Sequence, residues 1–157
     1  MIGKGKKEKD NILEKARRYC AFQEHCISDV EKKLFEWKVK KAHIPKIIES
    51  LIKDDYIDEQ RYAAMFVSGK VRIKNWGRLK IKAGLRAKKI PDHFIQKAIS
   101  AIDEEDYLSN LKALIEKKRT SLKEPDSSIS KTKVLNFALS KGYERGLVFK
   151  LADDRRQ

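Results

Sequence analysis

The chain has 157 residues, 37 of them Lys or Arg against 23 Asp or Glu, giving a formal net charge of +14 and a pI near 9.7. A hydrophobic fraction of 41% with regular apolar spacing excludes a wholly disordered chain, and no apolar run approaches the ~18 residues of a membrane span. The cationic balance favours a polyanion or an acidic protein surface as partner.

The first ten residues, MIGKGKKEKD, read as a basic tail. They lack the apolar segment of a secretory signal, so the cytoplasm is the expected compartment. From there on the chain reads as helix, with only 7 Gly and 3 Pro to break it. A first helix is expected over residues 11–23, where Ile12, Ala16 and Tyr19 recur at helical spacing. Cys20 and Cys26 stand six apart, neither a CxxC nor part of a zinc quartet, and read as two reduced, partly buried thiols. Ser28 to Glu31, SDVE, has the form of a capping box opening a second helix with the apolar pair Val30 and Leu34. The long junction from Leu34 to Ile44 predicts an extended second helix that carries Trp37. A third helix begins at IPKIIESLI, with Pro45 in the first turn, where a missing N–H costs nothing.

The same order then recurs. Asp58 is an N-cap for a first helix over Glu59–Ile73. Within it KVRIK alternates like a strand but continues the helical pattern. Asn75 is the expected N-cap of the next helix, Trp76 and Gly77 open it, and Ile81 and Leu85 are its apolar pair. Pro91 starts IPDHFIQKAI. Asp103 caps a first helix over Glu104–Thr120, SLKEPDSSIS reads as an exposed loop, Val134 and Ala138 mark a second helix, and YERGLVFKLA is the third. The three apolar pairs begin 51 and 53 residues apart. Three helices in about 50 residues bury little surface alone, so neighbouring units must stack. The expected fold is all-α: about three tandem three-helix repeats stacked into an elongated molecule, expected to be a monomer because each unit presents only nearest-neighbour apolar faces. The expected divisions are a tail over 1–10 and repeats over 11–57, 58–102 and 103–157.

Charge is unevenly divided among these segments. Residues 58–102 hold eleven basic and three acidic groups, whereas residues 11–57 hold ten and eight and residues 103–157 twelve and ten. From Ser68 to Lys89 there are nine Lys or Arg and no carboxylate. Arg78, Lys82, Arg86 and Lys89 form a helical stripe about 100° round from the apolar face. Lys70, Arg72 and Lys74 end the preceding helix, where cations also favour the negative dipole end. With Lys80 and Lys88 these are the candidate contacts for a polyanion; the alternative is a solvated basic face with no ligand. Trp76 stacks on a base or partner side chain, or packs between helices, and Trp37 has the same two readings.

No chemistry of catalysis is legible. His25, His43 and His93 are scattered, without an HExxH or other metal spacing. GxxxxGK[ST], GxGxxG and GxSxG are absent. Asp54–Asp55 and Asp153–Asp154 read as capping or solvated groups at helix ends. The expectation is a protein with no catalytic residue, no metal and no cofactor.

Over Asp54–Ile90 the sequence resembles the RecX family of regulators of the RecA recombinase. The matching elements are Asp58, Glu59, Arg61, Tyr62 and Ala63, then Phe66 and Val67. Lys70, Arg72, Trp76, Gly77, Lys80, Ile81, Leu85, Lys88 and Ile90 follow. Gln60 and Tyr62 stand where the family usually has Glu and Phe. The resemblance implies tandem three-helix repeats in an elongated, curved molecule, with Asp58, Glu59, Arg61, Tyr62, Ala63, Phe66, Gly77, Ile81 and Leu85 as structural motif residues. It implies binding in the groove of the RecA–DNA filament, limiting recombination and ATP turnover. It also implies weak, non-specific binding of single- and double-stranded DNA, away from membranes. The alternative reading is a direct, sequence-tolerant nucleic-acid-binding helical protein. The third helices offer few base-reading side chains for a helix-turn-helix, and a basic stripe on a second helix suits backbone contact.

Overall fold

The computed structural model describes residues 2–153, with side chains from residue 5 onward. Among the described residues there is no strand. The α-helices are, in chain order, α1 (Ile2–Phe22), α2 (Ile27–Glu36), α3 (Ile44–Lys53), α4 (Glu59–Gly69) and α5 (Arg78–Ala87). They continue as α6 (Asp92–Ser100), α7 (Glu104–Thr120), α8 (Ser128–Ser140) and α9 (Arg145–Asp153). A 3-10 turn occupies Lys41–His43 and a π-helical turn Lys70–Lys74. The chain is thus all-α, built of tandem three-helix sets. The expected tail over 1–10 is, from Ile2 onward, the first part of α1.

Two compact units divide the chain. One holds the residues up to Tyr62 together with Lys88–Ile90; the other holds Ala63–Ala87 and the chain from Pro91.

In the first unit Ala16 and Cys20 of α1, Val30 and Leu34 of α2, and Ile44, Ile47, Ile48 and Leu51 of α3 form one core. Three helix-spaced stripes meet there, each large buried aliphatic contributing about 1.5–3 kcal/mol. Pro45 stands in the first turn of α3, as expected. The capping box does not form. The helix starts two residues earlier than SDVE implies, with Cys26 as N-cap and no side-chain cap bond. Ser28 therefore sits inside the first turn, and its hydroxyl donates to the Lys88 carbonyl at 2.8 Å. The Ile27 N–H is satisfied instead by Glu59 Oε2 at 3.3 Å.

The expected extension of α2 through Trp37 is also corrected. The helix ends at Glu36, and Lys38 turns left-handed at φ 62°. The Val39 N–H then donates to the Leu34 carbonyl at 3.0 Å, closing a Schellman-type end. The extra residues form the 3-10 turn instead. Trp37 packs edge-on to Tyr19, under the Lys15 ammonium at 4.3 Å.

In the second unit Ile81 and Leu85 of α5 and Ile95 of α6 are fully buried. Tyr107, Leu111 and Ile115 of α7 pack with Val134 and Ala138 of α8, Tyr143, and Val148 of α9. All three sequence-spaced pairs, Val30/Leu34, Ile81/Leu85 and Val134/Ala138, are at most 2% exposed. Asp103 caps α7 as expected, accepting from the Asp106 N–H. Pro91 precedes α6 as its N-cap, one place before the first turn.

Candidate nucleic-acid interface

The basic segment begins where α4 widens into the π turn. The Trp76 N–H reaches back to the Lys70 carbonyl at 3.0 Å, and Asn75 closes the turn in the left-handed region at φ 54°. Asn75 is therefore the C-cap of this turn and not the N-cap of α5, a correction. Asn tolerates that backbone better than most residues. Gly77 takes the N-cap position, its carbonyl accepting from the Ile81 N–H.

The abrupt end sets Trp76 edge-on to Phe66, ring centroids 6.4 Å apart. The Lys70 and Lys80 ammonium groups lie 4.4 and 4.5 Å from the Trp76 ring centre. Trp76 is half-buried. It packs between elements, and its ring anchors two cations, each such contact worth about 0.5–1 kcal/mol at an exposed site.

Arg78 departs from the unneutralised stripe expected of it. Its Nη1 donates to Glu144 at 2.8 Å, its Nη2 pairs with Glu104, and its side chain is 19% exposed. The Arg78 backbone N–H donates to the Tyr107 hydroxyl at 3.0 Å, and that hydroxyl donates to Glu144. Burial raises the Tyr107 hydroxyl's pKa, and the bond to Glu144 raises it further. Both partner carboxylates lie more than 20 residues away along the chain, where counting charge by segment cannot find them.

The other cations differ among themselves. Lys70, Lys74, Lys80 and Lys82 form no ion pair among the described residues. Arg72 lines a cavity with Asp103 and Asp106. Arg86 lies 3.7 Å from Asp92, both well exposed. In the first unit the Lys88 ammonium donates to Asp29 at 2.6 Å, and Lys89 holds φ 60° just beyond α5. Lys88 thus has a carboxylate partner, while Lys89 is exposed.

The motif residues hold backbone and core. Asp58 caps α4, accepting from the Arg61 N–H at 3.0 Å. The Arg61 guanidinium binds Glu24 and the Asp55 carbonyl. Tyr62 and Ala63 are 5% and 0% exposed. Gly77 and Gly84 give room at close approaches; a methyl at Gly84 would meet the Phe66 ring at 2.9 Å. Among the described residues no three His, Cys, Asp or Glu side chains gather as for a metal, and no helix is long and apolar enough to cross a membrane.

A family model described as the second three-helix domain of RecX matches residues 58–99, the stretch carrying this motif. A relative named Regulatory protein RecX, from Clostridium acetobutylicum, is 32% identical over 143 residues, covering 87% of this chain and 66% of its own length.

This chain belongs to the RecX family.

A second Regulatory protein RecX, from Bacillus mycoides, is 27% identical over 130 residues, 83% of this chain and 48% of the relative. The chain thus spans about two thirds of the first relative and about half of the second. Two crystal structures are similar at 23% identity. One of a regulatory protein RecX gives a TM-score of 0.85 over 92% of this chain and 73% of that one. RecX from Lactobacillus salivarius gives 0.82 over 94% and 96%. These two establish the shared RecX fold.

Reading charge by segment missed Lys117 and Lys118 of α7 and Lys141 just beyond α8. Residues 103–157 look nearly neutral because acids at the start of α7 offset bases at its end.

Proposed function

We propose that this chain regulates the RecA recombinase by seating in the groove of the RecA–DNA filament, limiting ATP turnover and strand exchange without chemistry of its own. The observation that carries this reading is a set of lysines in the basic segment: Lys70 and Lys80 lie against the Trp76 ring, and with Lys74 and Lys82 they form no ion pair among the described residues, in a family whose relatives are named regulatory proteins. Lys70, Arg72, Lys74, Trp76, Lys80, Lys82, Arg86, Lys88 and Lys89 are the contacts to DNA or filament in this reading. Arg78 serves by holding the start of α5 in place. The protein acts as a cytoplasmic monomer that also binds single- and double-stranded DNA weakly and without sequence preference.

The test is RecA ATPase and strand exchange on preformed filaments. Several weak contacts made together strengthen each later one through effective concentration. Wild type is therefore expected to slow both reactions at fewer molecules than DNA sites, and a Lys70→Ala/Lys80→Ala/Lys82→Ala variant to require more protein. Absence of any effect by wild type overturns the reading. The second reading, a direct nucleic-acid binder, is favoured by the same lysines, since phosphate contacts position without reading sequence. It predicts inhibition only in proportion to free DNA, abolished by excess competitor DNA.

A further inference from the structure

Beyond the basic segment, the second unit holds a cavity of about 340 Å³ where the end of the π turn meets α7 and α8. Four ammonium groups line it: Lys74, Lys117, Lys118 and Lys141. No carboxylate lines it, and none of the four forms an ion pair among the described residues. Asn75 and Asn110 add two amides, and Ala113, Leu114 and Phe137 an apolar wall. The Phe137 ring has the Lys118 and Lys141 ammonium groups 4.9 and 5.6 Å from its centre.

Like charges gathered around a concave, partly apolar surface focus their field on whatever enters it. The volume falls at the lower end of the about 300–1,000 Å³ of small-ligand sites, which likewise join apolar walls to a few polar groups. The backbone at the rim is a second, independent sign. π turns occur often at functional sites, and this one ends on a left-handed Asn75 beside Lys74. Lysines act as point charges suited to phosphate, whereas planar carboxylates are matched best by the forked guanidinium. No Arg among the described residues lines this cavity. A paired base inside a duplex cannot enter a concavity, while a splayed nucleotide sets its base on an apolar wall and its phosphates on cations.

We propose that this cavity binds a nucleotide unit of single-stranded nucleic acid, with Lys117, Lys118 and Lys141 on the phosphates and Phe137 with Leu114 against the base or sugar. The site deepens the filament reading, on whose setting it rests, by adding a contact for the strand outside the basic segment.

The experiment measures binding of a fluorescent oligothymidylate by anisotropy across a salt series, with no recombinase present. Lys117→Ala/Lys118→Ala is compared with Lys133→Ala/Lys150→Ala, which removes equal charge from exposed positions that do not line the cavity. The cavity variant is expected to lose about tenfold or more in affinity at 0.1 M salt, and its slope of log K against log salt to flatten by about 1.4, at ~0.7 per single-strand phosphate contact. The control keeps most of its slope. Phe137→Leu, which keeps every charge, is expected to lower affinity with the slope unchanged. Equal losses in the cavity and control variants, or none in the cavity variant, overturn the site. Competition by free thymidine monophosphate as effective as by the oligomer overturns the strand as its ligand. Wild-type inhibition of the recombinase persisting while these binding results fail separates loss of this site from loss of the filament reading.

Discussion

Gly77 and Gly142 meet backbone to backbone. The Gly77 N–H donates to the Lys141 carbonyl at 2.7 Å, the Leu79 N–H to the Gly142 carbonyl at 3.0 Å, and a methyl at Gly77 would lie 2.3 Å from the Gly142 carbonyl carbon. The start of α5 is thereby joined to the turn between α8 and α9, which takes the Gly77 and Leu79 N–H groups while the Arg78 N–H between them goes to the Tyr107 hydroxyl. At Gly77 a neighbouring backbone occupies the place a side chain would take.

Gly77→Ala is therefore expected to destabilise by about 1–3 kcal/mol or more, since the methyl meets backbone and not a flexible side-chain end. Gly142→Ala is expected to cost at least as much. Its φ is +93°, and its methyl would meet Lys80 Cβ at 2.3 Å. Chemical denaturation of both variants, beside Gly146→Ala where nothing lies within 4 Å, checks this.

Arg78→Ala is expected to lower stability by about 1–3 kcal/mol, because it strands Glu144 beside the Tyr107 hydroxyl in a half-buried site. Its salt slope for DNA binding should stay close to wild type, while Lys82→Ala, with no ion pair to lose among the described residues, flattens the slope without unfolding. A double-mutant cycle of Arg78→Ala with Glu144→Ala should show coupling. An Arg78→Ala protein of unchanged Tm and flattened slope would return Arg78 to the DNA-binding set.

Asp29 and Lys88 supply a pH-dependent contribution. Burial pushes the Asp29 carboxyl up, but the Lys88 ammonium at 2.6 Å outweighs it and holds the group below its ordinary 3.8. A carboxyl lowered on folding adds stability in full above its ordinary value and loses it as pH falls through the lower folded value. Asp29→Asn is thus expected to be less stable than wild type at pH 7, by about 1 kcal/mol for a pair with one partly exposed member. The difference should shrink below pH 3.8. Denaturant midpoints at pH 7 and pH 3 measure it.

Cys20 and Cys26 are buried free thiols, and burial pushes the Cys20 thiol up to about 11. The thiolate is the reactive form. Iodoacetamide at pH 8 is expected to label neither cysteine in the folded protein and both in denaturant. Rapid labelling of the native chain would show that the first core opens locally.

The helices and their core stripes were legible in the sequence because they rest on local periodicity. Val30/Leu34, Ile81/Leu85 and Val134/Ala138 were identified by spacing alone and are all buried. Asp58 and Asp103 were legible as caps for the same reason, since their partners are three residues away. What only the tertiary structure decided depends on partners distant in sequence. Ser28 looked like a capping-box residue until the Lys88 carbonyl, 60 residues on, took its hydroxyl. Arg78 looked like a free cation until Glu104 and Glu144 were brought to it. Lys117, Lys118 and Lys141 were hidden in a nearly neutral segment, and folding gathered them with Lys74 around one cavity. Coulomb and hydrogen-bond energies depend on distance in space, whereas helix periodicity is written in distance along the chain. The fold is therefore the part of this protein that its sequence states directly, and the division of its lysines between structure and ligand is decided by packing.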